Sequence, residues 1–435
     1  MKELKERIRE IAENLQDEML SFTQKVIQCP SLSGEEENVA MLYLQELQKL
    51  GYDEAFLDKY GNVVGIVKGT EDGPSIMYNG HLDHVDIGDL DEWKGYEPYG
   101  GKIDESMILK EDRNGEERTQ VIHGRAASDT KSGMACQVYS GAVLARLKKE
   151  GYGFKGNYIY SGVVLEEPAE QIGMRGLIED TFAERNIPVD GVVSCEATGL
   201  QLYLGHRGRV ELSVDVEGVN SHASAPWLGV NAVTEAARLI LEVEHAYADA
   251  KEDKNLGKST IALTNITCSP GSMCIVPDRC HLTFDRRFIP GETAKDCVKE
   301  MEELISKLYA KDENFHAKAG IGAAPRTTYT GITKTVENIK EAWKISTEHP
   351  FVKAAAKGLE AYGEPVSYGY WDFGTDLAII CGGHGIAGIG YSPMQELYCH
   401  RPVDMCRTDF MKRAVTGNIA IFMELCKLDK NDFKL

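Results

Sequence analysis

The chain has 435 residues, 43% of them apolar and 27% charged; this is an ordinary folded composition with too much chain for one hydrophobic core, so two domains are expected. A net charge of −20 excludes nucleic acid and anionic membrane surfaces as main partners, because both select a basic face. Eleven cysteines spread from Cys29 to Cys426 with no C-x-x-C pair exclude a disulfide-stapled secreted scaffold and point to reduced thiols in a cytoplasmic protein.

The opening "MKELKERIREIAENL" predicts a charged amphipathic helix and lacks the apolar centre of a signal peptide. No apolar run approaches the ~20 residues needed to cross a bilayer. Strands are predicted over 61–68 and 75–80, a helix over 131–149, a strand over 157–167, a helix in "MRGLIEDTFAER", and a strand over 191–196. Apolar strands alternating with helices predict an α/β sheet covered on both faces. The texture changes near residue 207. In "RVELSVDVEGV" Val210, Leu212, Val214 and Val216 share one face, while Glu211, Ser213, Asp215 and Glu217 share the other, as in a strand buried on one side. A helix over 231–250, strands near 260–268 and 280–289, a helix over 293–310 and a strand near 314–321 complete a β-α-β-β-α-β order, an α+β unit of the ferredoxin-like kind. After "GAAPRTTYTG" the α/β texture returns with helix "HPFVKAAAKGLEAYG" and strand "GIAGIGYS". The expected organisation is one discontinuous α/β domain (1–206 and 325–435) split by an inserted α+β domain (207–324). The segment "KEDRNGEERTQ" is expected to be a solvated hairpin tip.

The chemistry concentrates at strand ends, where open α/β sheets hold their ligands. "YNGHLDHVD" reads H-x-D twice. In an extended strand His81 and Asp83 share a face, so Asp83 can orient the His81 imidazole, while His84 and Asp86 are out of phase with that pair or in the turn beyond it. "GRAASDTKSG" sets Asp129 among small residues before a helix, "VVLEEPAE" ends a strand with Glu166 and Glu167, "VVSCEATG" ends the next with Glu196, and "ELYCHRPVD" supplies His400. Each stretch alone has a plainer reading: a surface histidine, a helix cap at Asp129, carboxylates facing solvent. Together, two imidazoles and three carboxylates suit Zn2+, with Co2+ or Mn2+ as substitutes, and one shared carboxylate would make a two-metal hydrolytic centre.

The order and flanks of these motifs resemble the dizinc aminoacylase/carboxypeptidase superfamily, which includes acetylornithine deacetylase and succinyl-diaminopimelate desuccinylase. The likeness runs from "CPSLSGEEENVAMLYLQELQKLGY" through "GHLD", "GRAASDTKSG", "LEEPAE", "CEATG", "NSHASAPWLGVNAV" and "VPDRCHLTFDRRFIPGET" to "GTD" and "HRPVD". It is nearest to a branch whose members have been linked to selenium metabolism. The resemblance implies that His81 and Glu196 hold one metal, Glu167 and His400 the other, and that Asp129 bridges them. It implies Glu166 as general base, Asp83 as the carboxylate behind the first histidine, and two Zn2+ per subunit. His84 falls where the family carries a small or apolar residue, and so stays outside the site. The inserted domain would act as lid and dimerisation domain, giving a homodimer in which His222 reaches the neighbouring subunit's site to stabilise the oxyanion. Arg287 matches the substrate-carboxylate clamp and Asn265 a substrate-contacting asparagine, each with a purely structural role as the alternative. Two departures stand out: Ala197 where proline is common after Glu196, and Val403-Asp404 where Asn-Glu is common. The implied activity is zinc-dependent cleavage of the amide of an N-acyl amino acid or small peptide by a hydroxide between the metals. Dipeptidase or carboxypeptidase action and a non-catalytic metal-binding interaction module are the alternatives.

Overall fold

The computed structural model describes residues 2–111, 115–168 and 170–435, with backbone only for Lys2, 106–111 and 115–118. Three helices open the chain: α1 (Lys2–Asn14), α2 (Gln16–Ile27) and α3 (Glu37–Leu50). The strands β1 (Glu54–Leu57), β2 (Val63–Lys68) and β3 (Glu71–His81) follow, then the pair β4 (Ile103–Glu111) and β5 (Gly115–His123). The expected hairpin tip falls on residues 112–114, outside the described residues; its flanking strands pair antiparallel from Glu111 and Gly115. Helix α4 (Ser132–Lys149) leads to β6 (Lys155–Val163), β7 (Gly191–Ser194) and β8 (Leu202–His206).

The smaller unit contains β9 (Gly208–Glu217), α5 (Ala232–Ala246), β10 (Thr260–Ser269), β11 (Arg279–Phe288), α6 (Ala294–Lys311) and β12 (His316–Ile321). A hairpin β13 (Ala323–Thr327) and β14 (Thr333–Glu337) and two short strands, β15 (Ile339–Lys340) and β16 (Trp343–Lys344), lead back. The chain closes with α7 (Pro350–Ala361), β17 (Tyr368–Trp371), β18 (Gly388–Gly390), β19 (Met405–Arg407) and α8 (Thr408–Leu425).

The large sheet is mixed, in the order β1-β2-β6-β3-β7-β18-β8-β16 with β17 also on β8; β3 runs parallel to both β6 and β7. Helix α4 is buried along nearly its whole length, and its Gly, Ala and Ser residues let it lie close to the sheet. The end of β3, which carries His81, and the start of α4, which follows the turn carrying Asp129, are therefore fixed by the largest core.

The small sheet runs β10-β11-β9-β12, with β15 also on β9. The alternation read in the sequence is the burial pattern: Val210, Leu212, Val214, Val216, Leu282, Phe284 and Phe288 form a second core with α5 and α6. Lys340 and Ile339 pair with β9, so the small sheet gathers a strand from beyond residue 324. Strand β6 stops at Val163, earlier than the expected 167, because Leu165 is left-handed (φ 55) and its N–H, like that of Val164, goes to a side chain rather than a neighbouring strand.

Helices α7 and α8 touch through Gly358, where an added Cβ would lie 2.4 Å from the Ala420 carbonyl oxygen. Gly358→Ala gains up to ~1 kcal/mol of helix propensity but overpacks a backbone contact at a cost of about 1–3 kcal/mol. The expected outcome is a lower urea midpoint at unchanged m-value; a raised midpoint would contradict this packing.

Candidate metal centre

His81 ends β3, Asp129 precedes α4, Glu167 and Glu196 lie just past β6 and β7, and His400 sits before β19 in the left-handed region (φ 58). The fold brings all five together. His81 Nε2 lies 3.0 Å from Asp129 Oδ1 and 3.7 Å from Glu196 Oε1. His400 Nε2 lies 2.9 Å from Asp129 Oδ2 and 3.3 Å from Glu167 Oε1. Each oxygen of Asp129 thus faces a different histidine, in two triads, His81–Asp129–Glu196 and Asp129–Glu167–His400. The triads line one wall of a cleft of about 530 Å³, whose other walls include Glu166, Arg209, Arg287 and Lys340.

The electrostatics favour cations. Burial and the Asp129 charge push Glu196 well above the usual carboxylate range, and burial raises Glu167 as well. Burial opposes charge on His81, yet its contacts with Asp129 and Asp83 hold it well above an ordinary imidazole, and contacts with Asp129 and Glu167 push His400 up to about 10. These groups compete for protons because too many acceptors are packed together. Glu167 Oε1 is buried without a hydrogen bond, its approach to His400 being poorly aligned. Imidazole nitrogens and carboxylate oxygens within 4.8 Å of one another in each triad fit divalent cations such as zinc.

Backbone clamps hold the cluster. Asp83 lies behind His81, but its backbone carbonyl is what accepts the His81 Nδ1–H (3.0 Å); its carboxylate is 3.5 Å from that nitrogen. The carboxylate instead accepts the N–H groups of Glu166 (3.1 Å) and Glu167 (3.2 Å) and the Ser33 hydroxyl (2.7 Å). Asp404, visible in the sequence only as a departure from the family pattern, accepts from Ala126 N–H (2.8 Å), Ser128 N–H (2.8 Å), Ser128 Oγ (2.6 Å) and Arg125 Nη1 (3.2 Å). It fixes the turn that presents Asp129. Sequence reasoning also missed Lys340, whose Nζ contacts Glu166 Oε1 and donates to the Gly374 carbonyl at 3.1 Å.

Arg287 lines the cleft, whereas His222 and Asn265 do not line the cleft of their own chain. His222 is exposed, and its Nδ1 accepts the Ser224 N–H at 3.1 Å, which leaves Nε2 as the outward nitrogen. Asn265 is exposed beside a register shift in edge strand β10. His84 faces away from the triads: its Nε2 accepts the Ser31 N–H (2.9 Å) and its Nδ1–H goes to the Val85 carbonyl (2.8 Å).

A helix-covered mixed sheet, an inserted smaller sheet and a carboxylate–imidazole cluster in the cleft define a metal-dependent peptidase or amidohydrolase. Residues 204–313 match the peptidase dimerisation domain of the M20 family. Over 399 residues the chain is 31% identical to the protein YgeY of Escherichia coli K12, covering 91% of each. The chain belongs to the M20 family of metallopeptidases. Solved structures with the same fold include aminopeptidase PepT of Bacillus cereus (TM-score 0.68, 19% identity, 94% of this chain and 98% of that one). The M20 metallo-carboxypeptidase Sso-CP2 of Sulfolobus solfataricus gives TM-score 0.68 at 18% identity over 94% and 100% of the two chains. YXEP of Bacillus subtilis, described as a dinuclear metal-binding peptidase of this family, gives 0.68 at 14% over 95% and 99%.

Asp404→Ala is expected to weaken metal binding about 10–100-fold by releasing the Asp129 turn, as outer-shell losses do; titration calorimetry measures it, and an unchanged affinity would refute the clamp. Burial lowers His84 to about 4 and His206 to about 3, from 6.5. A histidine with a depressed folded pKa stabilises fully above its unfolded value and loses that contribution as pH falls, here from 6.5 toward 4 and 3. The combined loss is on the order of 8 kcal/mol. His84→Gln should flatten part of the acid slope of the urea midpoint while leaving bound metal unchanged.

Proposed function

We propose that the chain is a dinuclear zinc hydrolase, with Co2+ or Mn2+ as substitutes, that cleaves the amide of an N-acyl amino acid. The observation that carries this reading is Asp129, whose two oxygens face His81 and His400 at 3.0 and 2.9 Å. His81, Asp129 and Glu196 would hold one ion and Asp129, Glu167 and His400 the other. When bound, such ions supply Lewis acidity to the scissile carbonyl and to the attacking water.

Glu166 takes the proton of that water and returns it to the leaving amine. Lys340 occupies Glu166 Oε1 and so leaves Oε2 for the transfer. Asp83 sets the height of Glu166 through its backbone N–H. Arg287 holds the substrate carboxylate by its planar fork, and Asn265 and His222 of the partner subunit approach the carbonyl from across a dimer interface. A homodimer is supported by the nearly uncovered edge strand β10, by Trp227 (77% exposed) and Met273 (97% exposed) on the same unit, and by the match to a dimerisation domain. A cytoplasmic setting fits eleven unpaired cysteines, and among the described residues no helix is long and apolar enough to cross a membrane. A dipeptidase or carboxypeptidase would use the same groups, and several fold neighbours are described as peptidases.

Metal analysis coupled to a panel of N-acyl amino acids and dipeptides tests this. About two zinc equivalents and turnover of the acyl compounds are expected; preference for dipeptides selects the peptidase, and metal without any turnover selects a non-catalytic module. Glu166→Gln should keep the metal and lose activity, whereas His81→Ala should lose both and His84→Ala should keep the metal. His222→Ala should lower kcat roughly 10²-fold. Mixing the Glu166→Gln and His222→Ala chains should restore activity at about one quarter of the sites, because a heterodimer rebuilds one complete site; no recovery after subunit exchange would sink the shared site.

A further inference from the structure

Three cations stand in one row across the small sheet. Lys340 of β15 pairs with Arg209 of β9, and Arg209 pairs with Arg287 of β11. Arg209 and Arg287 share the face opposite the buried Val210 and Arg286, and all three residues of the row line the cleft. The next row contributes Asp285, which sits between the two guanidinium groups: Arg209 Nε donates to Oδ2 and Arg287 Nε to Oδ1, both at 2.6 Å. Asn338 Oδ1 accepts from Arg209 Nη1 at 2.5 Å, and Glu211 Oε2, which accepts the Asn338 side-chain N–H, lies 3.9 Å from Arg209 Nη2.

A sheet that needed only to neutralise Asp285 would need one arginine. Two side by side repel each other, and their shared acid offsets that repulsion while fixing both forks with little freedom left to lose on binding. A guanidinium has five N–H donors, so each fork keeps Nη hydrogens beyond those its neighbours take. The side chains remain 20% and 26% exposed.

The row also has a direction. Lys340 touches Glu166, so the reacting end of the cleft is at Lys340. Arg209 is one strand from Lys340 and Arg287 two, at about 4.8 Å per strand. In an N-acyl amino acid only one tetrahedral carbon separates the carboxylate from the scissile amide nitrogen, so its anchor must sit close to the base.

From this we infer that Arg209 is a second guanidinium of the carboxylate clamp and the residue that makes a free carboxylate beside the scissile amide a condition of binding. The inference rests on the hydrolase reading of the cleft, but its test does not require turnover. In the zinc-loaded Glu166→Gln chain, calorimetry compares N-acetyl alanine, leucine and glutamate with their α-carboxamides. At least one carboxylate is expected to bind 10-fold or more tighter than its carboxamide. Adding Arg209→Gln should erase most of that difference and leave carboxamide binding nearly unchanged, and Arg209→Lys should recover part of it. A merely structural arginine would weaken both ligands alike. Equal weakening, no change, absence of discrimination in the parent, or no binding of any of the six compounds overturns the inference. Discrimination in a chain whose Glu166-intact form turns nothing over sinks the hydrolase reading alone; turnover without discrimination sinks the clamp alone.

Discussion

Asp129 is the constraint around which the large domain is arranged. Its carboxylate is held between two imidazoles and within reach of Glu196 and Glu167, in a setting where burial pushes both of those glutamates up. Packing that many oxygens together is unfavourable unless cations arrive, so the scaffold must hold the donors against their own repulsion. It does so with buried backbone hydrogen bonds, joined by the buried pairs Arg125–Asp404 and Lys340–Glu166. Asp83 takes the N–H groups of Glu166 and Glu167, Asp404 those of Ala126 and Ser128, and Glu36 that of Leu165. Three residues in these segments, Ala126, Leu165 and His400, are left-handed without being glycine. Such conformations cost about 1–3 kcal/mol each and persist where the surroundings leave no alternative. At Ala126 and Leu165 the alternatives are closed by the carboxylates of Asp404 and Glu36, which accept their backbone N–H groups.

Much of this was legible in the sequence, but for different reasons at different residues. His81 closes β3 and His84 lies beyond its end, where its ring nitrogens go to Ser31 and Val85, so the doubled H-x-D is not doubled in place. Alternation in "RVELSVDVEGV" and "RCHLTFDRRFI" gave the buried face of the small sheet and put Arg287 on the other. The ligand set itself needed the family resemblance, because H-x-D, E-E and S-D-T are each common in solvated turns. Asp404 was visible only as a substitution in a familiar pattern, and what it does depends on a turn some 280 residues earlier in the chain.

Lys340 was invisible for a more basic reason, and so was its place beside Arg209, whose strand and face the alternation did show. A two-residue strand has no periodicity to detect, and register between segments 130 residues apart is set by tertiary packing, not by local pattern. The length of β6 was misjudged because the apolar run "VVL" continues past the last ladder bond; there the backbone turns to Asn62 and Glu36 for its partners. Hydrophobicity records burial, and burial continued after the strand had ended.

The two sheets divide the chemistry by charge. The large sheet delivers His81, Glu167 and Glu196 at the ends of its parallel strands, and the turns before α4 and β19 add Asp129 and His400. The small sheet delivers the cations from the ends of three neighbouring strands, where Arg209, Arg287 and Lys340 line the cleft. This division has a mechanical consequence. Lys340 belongs to the small sheet by its backbone pairing and to the large domain by its side chain, through Glu166 and Gly374. Any rotation of the small sheet relative to the large one must move that ammonium against the carboxylate it touches. The position of Glu166 is thus tied to that of Arg209 and Arg287, so the proposed base and the proposed carboxylate clamp would move together.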